Sequence, residues 1–274
     1  MKLLKTSLVL FSLLSLPTFA EPYKIASESE ITSRVAEAKT HLSKTDGGKL
    51  LWDSIEAHGG LDKWFANGLL EFRWTYHMKD RGLVKDSTQI IDTWSSKARH
   101  VGLGSMEGTT FGWDGAKAWI EPKDANIGIP PGFWALTPYY FVGVPHVLAD
   151  PGTIHELLPE KIDLDGKSYE QVKVSYESGT GESPDDYYIA LIDSETKLVK
   201  GVRYIVTSPL LARKGEPVEK LLTYEGWYDL SGVLFPKSHI TYTMEGDKVG
   251  TELRSADVSE AKFLGEADVA FDKK

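Results

Sequence analysis

The apolar positions near the start of the chain repeat at helical spacing. Ile31, Val35, Ala38 and Leu42 lie three or four residues apart, which predicts an amphipathic helix with Ser29 as its N-cap. A second helix is expected at about 48–58, where Gly59-Gly60 supplies a C-cap pair, and 61–67 adds one more turn. The N-terminal part is therefore predicted to be helical.

From residue 69 onward the period of the pattern changes to two. Phe72, Trp74 and Tyr76 alternate with polar residues, which is typical of a half-buried strand. Similar runs follow at 87–94, 97–106, 109–113, 117–121, 154–162, 168–177, 186–193, 198–207, 218–230, 234–245 and 249–263. Short turns such as Asp165-Gly166 join them, so neighbouring strands should be antiparallel. A sheet of this size must curl. We predict a mainly β (α+β) fold in which a large curled antiparallel sheet forms a half-open barrel around helices.

One hairpin, "FGWDGAKAWIEP" at 111–122, carries tryptophans on both arms. Asp114-Gly115 is a strong turn signal, because glycine adopts a positive φ without strain. Trp113 and Trp119 flank the turn and are expected to line either a packed core or an apolar pocket, one directed inward and the other outward or toward a lid.

The segment 122–150 interrupts the strands. It contains five aromatic residues (Phe133, Trp134, Tyr139, Tyr140 and Phe141) among several prolines, which cannot donate hydrogen bonds to a sheet. Thr137 and Pro138 are candidates for the N-cap and first position of a short, bent helix reaching Leu148. Long aromatic connections of this kind are typical of lids and binding loops.

The first twenty residues have the pattern of a secretory signal peptide. Lys2 and Lys5 precede a short apolar run, and Pro17-Thr18-Phe19-Ala20 resembles a cleavage site. We therefore expect cleavage after Ala20, export to the periplasm and a single domain over 21–274. No cysteine follows Ala20, so the lipoprotein route is not expected. The run is too short to span a bilayer.

Composition narrows the classes of partner. The chain has 274 residues and a net charge of −9, which disfavours binding to nucleic acid or to anionic lipid surfaces. It has no cysteine, so its stability must come from an ordinary core rather than from disulfides. We expect neither a nucleic-acid partner nor a membrane-spanning segment.

Catalytic and metal-binding motifs are weak. The seven histidines show no zinc-ligand spacing, and the acidic loop with Glu182, Asp185 and Asp186 does not match a known calcium-loop pattern, although either could still hold a metal. No nucleophile elbow precedes a helix. We expect no catalytic residue, metal or cofactor. The alternative is a hydrolase that uses carboxylates or a metal at the mouth of the barrel.

The aromatic content is the most prominent feature, with 8 Trp, 12 Tyr and 10 Phe. Two interpretations are open: the aromatic residues fill a core between sheet and helices, or they line a cavity that helices fill only in part. On the second interpretation the ligand-binding residues of the cavity and lid are Phe72, Trp74, Tyr76, Trp94, Trp113, Trp119, Phe133, Trp134, Tyr140 and Phe141.

Three segments together resemble the LolA/LolB-like superfamily of periplasmic lipoprotein carriers and its outer-membrane lipoprotein-sorting relatives. "GWDGAKAWIEP" is similar to the family's hairpin, with Asp114, Gly115, Trp119 and Pro122 in place. "YYIALIDSETKLVKGV" and "YDLSGVLFPKSHITYT" are similar to two of its strand–turn–strand units. The resemblance covers most of the chain after residue 20.

The resemblance implies an incomplete barrel whose concave face is plugged by helices and whose cavity carries acyl chains. The implied partners are a lipid or other apolar ligand and a membrane-bound protein that loads or receives it. In the carriers of the family an Arg-Pro strand holds the lid shut. The matching region here reads "SSKARHVGLG", in which Arg99 is the candidate for that lid-locking role and no proline follows. The function predicted is non-enzymatic carriage of a hydrophobic ligand.

Overall fold

The computed structural model describes residues 23–79, 82–178, 185–211 and 216–272. The predicted signal peptide and Glu182 lie outside the described residues. The described helices are α1 (Glu28–Leu42), α2 (Asp46–Ala57), α3 (Leu61–Ala66) and α4 (Pro131–Val142), with short 3₁₀ helices at Gly104–Met106 and His146–Ala149. None of these helices has the length and apolar character needed to span a bilayer.

The strands run in chain order through the rest of the protein. They are β1 (Leu69–Met78), β2 (Leu83–Asp92), β3 (Ala98–Leu103), β4 (Thr110–Trp113), β5 (Ala118–Glu121), β6 (Thr153–Leu157), β7 (Ile162–Leu164), β8 (Lys167–Tyr176), β9 (Tyr188–Asp193), β10 (Val199–Tyr204), β11 (Lys220–Tyr224), β12 (Trp227–Leu230), β13 (Val233–Pro236), β14 (Ser238–Glu245) and β15 (Lys248–Gly265).

Thirteen of these strands form one antiparallel sheet. Its order is β5-β4-β3-β2-β1-β15-β14-β11-β10-β9-β8-β6, with β7 beside β8, and β12 and β13 form a separate hairpin. β5 and β6 lie at opposite ends of this order and do not pair, so the described sheet is not closed. The predicted fold class, a large curled antiparallel sheet in a half-open arrangement with few helices, is confirmed.

Most boundaries follow the hydrophobic pattern, and the exceptions have local causes. The predicted strand at 218–230 is two strands, because Gly226 adopts a φ of +79° and turns the chain between β11 and β12. The predicted strand at 234–245 likewise divides into β13 and β14. These breaks allow the β12–β13 hairpin to leave the main sheet.

The N-cap of α1 is Ser27 rather than the predicted Ser29. The Ser27 side chain accepts from the Glu30 backbone N–H, and the Glu30 carboxylate accepts from the Ser27 N–H at 2.8 Å. This reciprocal pair is a capping box, which satisfies two donors that helical hydrogen bonds leave free.

Because Ser27 caps the helix, its replacement by alanine should cost more stability than the same change at Ser29. We expect Ser27→Ala to lower the free energy of unfolding by about 1 kcal/mol and Ser29→Ala by only a few tenths. Urea denaturation of both variants measures the difference. Equal losses would contradict the assignment of the cap.

Candidate functional site

Helix α4 begins and ends at positions other than those predicted. It starts at Pro131, with Pro130 as N-cap, and ends before Gly143, so Thr137 and Pro138 lie inside it. Proline suits the first helical position because its fixed φ is already helical and its missing N–H would be unpaired there in any case. Pro138 removes one internal hydrogen bond but is buried, so packing around it offsets that loss.

Helix α4 has two apolar faces. Trp134, Ala135, Pro138 and Val142 recur at helical spacing and are buried, whereas Phe133, Leu136, Thr137 and Tyr140 form a second, half-buried stripe. A helix that is apolar all round lies inside a protein. The first face packs against the sheet, and the second borders an open space.

The buried face of α4 packs against the inner face of β1. The Trp134 ring lies 5.2 Å from Trp74 and 5.1 Å from Tyr76, and Trp74 and Phe72 are at most 1% exposed. The sequence pattern predicts that these four residues line the cavity or lid. The structure corrects this: they belong to the packed core, because Trp134 of α4 covers Trp74 and Tyr76 and because Phe72 packs against Phe235 of β13.

A cavity of about 520 Å³ lies on the other side of α4. This volume falls within the range of about 300–1,000 Å³ that is typical of small-molecule sites. Its aromatic lining residues are Trp94, Trp113, Phe133, Tyr140, Phe141, Tyr176, Tyr188 and Tyr204. Five of the ten residues proposed from the sequence are therefore brought together here: Trp94, Trp113, Phe133, Tyr140 and Phe141.

Three tyrosines from the sheet form the wall opposite α4. Tyr176 ends β8, Tyr188 begins β9 and Tyr204 ends β10, so the antiparallel pairing brings all three to one end of the sheet. Tyr188 and Tyr204 are direct partners in the register, and their rings stack with centroids 6.2 Å apart. Burial raises the pKa of both hydroxyls, so both stay neutral hydrogen-bonding groups.

An ion pair between α1 and the segment after α4 closes one side of the cavity. Arg34 donates to the Trp94 carbonyl at 2.6 Å and to the Asp150 carboxylate at 3.4 Å. The Arg34 guanidinium also lies over the Phe65 and Trp94 rings, at 4.4 and 4.6 Å from their centroids. Burial raises the pKa of Asp150 to about 6, with Arg34 opposing the shift.

A smaller cavity of about 240 Å³ lies beyond this ion pair. Arg34, Asp150 and Pro151 line both cavities, so they form the wall between them. About a third (33%) of the Asp150 side chain is exposed, although the residue sits deep in the fold. Because Asp150 lines both cavities, it is within reach of a ligand in either of them.

Trp119 and Arg99 lie away from this cavity. The Trp119 indole N–H donates to the Phe271 carbonyl at 2.7 Å, and the Arg99 guanidinium lies over the Trp119 ring and donates to the Ala270 carbonyl at 3.3 Å. Trp113, by contrast, lines the cavity. The hairpin therefore directs its two tryptophans to opposite faces. Arg99 is the predicted lid-locking residue, but the contacts that the structure gives it hold the C-terminal segment and not α4.

The described residues contain no group of three or more His, Cys, Asp or Glu side chains arranged to hold a metal. Asp186 of the acidic loop lines the cavity and accepts a hydrogen bond from the Thr207 backbone N–H. Five histidines are buried, and two pairs of histidine rings are in contact, His41 with His155 and His58 with His146. His100 bonds to the Ala135 carbonyl of α4 at 2.8 Å.

The lining residues that the sequence did not predict include two charged and three aromatic side chains: Arg34, Asp150, Tyr176, Tyr188 and Tyr204. The sequence does contain a pattern that could have predicted the three tyrosines as neighbours. In three consecutive antiparallel strands, the end of one strand lies beside the start of the next, and the tyrosines occupy those positions. Arg34 and Asp150 had no such signal, because nothing in their spacing shows that α1 meets the segment after α4.

Comparison with solved structures identifies the type of fold. A LolA superfamily protein from Nitrosomonas europaea superposes with a TM-score of 0.54 at 12% identity, covering 84% of this chain and 98% of that one. The chain has a LolA-like fold. At 12% sequence identity this structural similarity establishes the fold and does not establish the function.

Two further structures are less similar to this LolA-like chain. An outer-membrane lipoprotein-sorting protein domain from Vibrio parahaemolyticus matches at a TM-score of 0.49 and 10% identity, covering 87% of this chain and 94% of that one. A DUF1329 family protein from Desulfovibrio piger matches at 0.49 and 10%, covering 88% and 97%. No protein-family model and no curated protein matches the sequence.

Proposed function

We propose that this protein is a non-enzymatic periplasmic carrier that holds a lipid or similar apolar ligand in the cavity between α4 and the tyrosine wall. The observation that carries the proposal is the second face of α4. Phe133, Leu136 and Tyr140 form a half-buried stripe that packs against the core on one side and borders a space of about 520 Å³ on the other. Sheltering each methylene of an acyl chain there gains about 0.8 kcal/mol.

The LolA-like fold supports this proposal, since the architecture places a helix inside a curled sheet and leaves room beside it. Carriage between membranes further requires a membrane-bound protein that loads or receives the ligand, and the signal-peptide pattern of residues 1–20 supports periplasmic export.

Filling part of the cavity should weaken ligand binding without unfolding the protein. Leu136 lies on the cavity stripe of α4, so Leu136→Trp should occupy part of the space. We expect it to weaken binding of the apolar fluorescent probe N-phenyl-1-naphthylamine by about tenfold or more, with a change in stability within about 1 kcal/mol. Fluorescence titration and urea denaturation measure the two effects.

Leu157 on β6 provides the matched control, because its side chain is 40% exposed and lies outside the cavity lining. Leu157→Trp makes the same change and should leave probe binding intact. If both variants bound the probe as the unaltered protein does, the ligand site would lie elsewhere.

A carboxylate-dependent hydrolase is the second candidate, because Asp150 and Asp186 both line the cavity. The two functions differ in the fate of an ester ligand. Incubation with a long-chain ester followed by mass spectrometry should return the ester intact if the protein is a carrier. Cleavage that disappears in Asp150→Asn would favour the hydrolase.

A further inference from the structure

The smaller cavity is a second space for apolar groups beside the main one. It lies between α1, α3 and the segment after α4, and Ala38, Leu61, Phe65 and Ala149 supply apolar side chains to its lining. Its volume is about 240 Å³, against about 520 Å³ for the main cavity. An apolar lining of this kind shelters a hydrocarbon chain from water. The fold therefore offers two neighbouring compartments for hydrocarbon.

The wall between the two cavities is built on an ion pair. Arg34 and Asp150 line both spaces. Arg34 is held in place by the Trp94 carbonyl, the Asp150 carboxylate and the ring faces of Phe65 and Trp94. A chain that crossed from one cavity into the other through this wall would have to separate the two charges, which is costly in a partly desolvated site. A single long chain is therefore a poor occupant of both cavities.

Two chains of one molecule do not need to cross the wall. Each cavity is partly open, so one chain enters each space while Arg34 and Asp150 stay paired. Their side chains are 27% and 33% exposed, which lets a polar group that joins the chains rest against them. Once the first chain is bound, the second enters its cavity at a high effective concentration because it belongs to the same molecule. The arrangement favours a forked ligand over a longer one.

We propose that the ligand is a lipid with two apolar chains joined by a short polar group, as in a diacylglycerol. One chain lies along Phe133, Leu136 and Tyr140 in the main cavity, and the other lies between α1 and α3 in the smaller cavity. The joining group lies across Arg34 and Asp150. This inference rests on the proposed function, which it extends from one apolar chain to two.

Dioctanoylglycerol and mono-octanoylglycerol measure the contribution of the second chain. Both dissociation constants are determined by calorimetry below the concentration at which the probes aggregate. On the unaltered protein we expect the two-chain probe to bind about a hundredfold more tightly. Each sheltered methylene strengthens binding about fourfold, and the second chain is sheltered only in part.

Filling the smaller cavity should remove most of this advantage. Ala38→Phe places a ring in that space, so the advantage of the two-chain probe should fall below about tenfold. Mono-octanoylglycerol, whose one chain takes the main cavity, should keep its dissociation constant within about twofold. Ala36→Phe makes the same change at an exposed position of α1 and should alter neither constant. Urea denaturation checks that each variant is folded.

A measurement on the unaltered protein does not depend on the folding of a variant. Crystals with a diacylglycerol that carries bromine at the end of both chains, analysed by anomalous diffraction, locate the two ends separately. We expect one bromine in each cavity. Two bromines in the main cavity, or none in the smaller one, would overturn the inference.

The outcomes separate this inference from the proposed function. If Ala38→Phe left the full advantage of the two-chain probe, or if the second chain added nothing on the unaltered protein, two-chain binding would be refuted while the main cavity remained an apolar site. Equal weakening of both probes by Ala38→Phe would show that the single chain occupies the smaller cavity, against the assignment of the chains. If neither probe bound to the unaltered protein, the proposed function itself would fail.

Discussion

Trp134→Ala is expected to lower the free energy of unfolding by about 3–5 kcal/mol, whereas Phe133→Ala, one residue away, should cost less than about half of that. Trp134 is 3% exposed and contacts Trp74 and Tyr76 in the core, so its removal leaves a void. Phe133 lies on the cavity stripe of α4, where space is already open.

In binding, the order of the two variants should be reversed: Phe133→Ala should weaken binding of the apolar probe more than Trp134→Ala does. Phe133→Ala should weaken the apolar probe severalfold, because the lost ring forms part of the cavity wall. Urea denaturation and probe titration on both variants give the comparison. If Phe133→Ala destabilised the protein as much as Trp134→Ala did, both faces of α4 would be core and the cavity account would be wrong.

Stability is expected to fall steeply between about pH 6.5 and pH 4, because five buried histidines resist protonation in the fold. Burial lowers the pKa of His155, and four others show larger shifts. Burial lowers the pKa of His58 and His100 to about 4, and of His146 and His239 to about 3, with His58 adding to the shift of His146. All four are at most 3% exposed.

The direction of the effect follows from proton counts. In the unfolded chain a histidine binds a proton below about pH 6.5, whereas these four stay neutral in the fold down to about pH 4 or below. Acid therefore favours the unfolded state. At about pH 5 each histidine costs about 2 kcal/mol, and together they approach the total stability of an ordinary domain. Asp150, whose pKa is raised, opposes the trend in part.

The measurement is the free energy of unfolding in urea at about pH 7.5 and about pH 5. His100→Gln removes one buried imidazole and should reduce the loss on acidification by about a quarter. His77→Gln, at an exposed position of β1, is the matched control and should leave the loss unchanged. A free energy that is constant across this pH range would contradict the burial of the histidines.

The sequence predicted those parts of the fold that depend on local pattern. Alternation along β1 identified Phe72, Trp74 and Tyr76 as inward residues, and the Asp114-Gly115 turn located the β4–β5 hairpin. Pattern alone could not show what those inward residues meet. Whether an inward ring packs or lines a space depends on where α4 sits, and that is a tertiary property.

Helix α4 shows most clearly what the hydrophobic pattern of the sequence cannot predict. Its sequence is apolar on every side, so no periodicity marks which residues face the sheet and which face the cavity. Trp134 and Phe133 looked equivalent in the sequence and are opposite in the structure. Arg34 and Asp150 are 116 residues apart in the chain, so the sequence pattern could not predict that they form an ion pair.

The central claim, that α4 and the tyrosine wall enclose the ligand site, is tested most directly by locating a bound chain. Crystals of the protein with a bromine-tagged dodecyl alcohol, analysed by anomalous diffraction, give the position of the bromine without any assumption about the site. We expect it between Leu136 and Tyr140 on one side and Tyr176 and Tyr188 on the other. Bromine bound only outside that space, or no bound bromine at saturating ligand, would contradict the account.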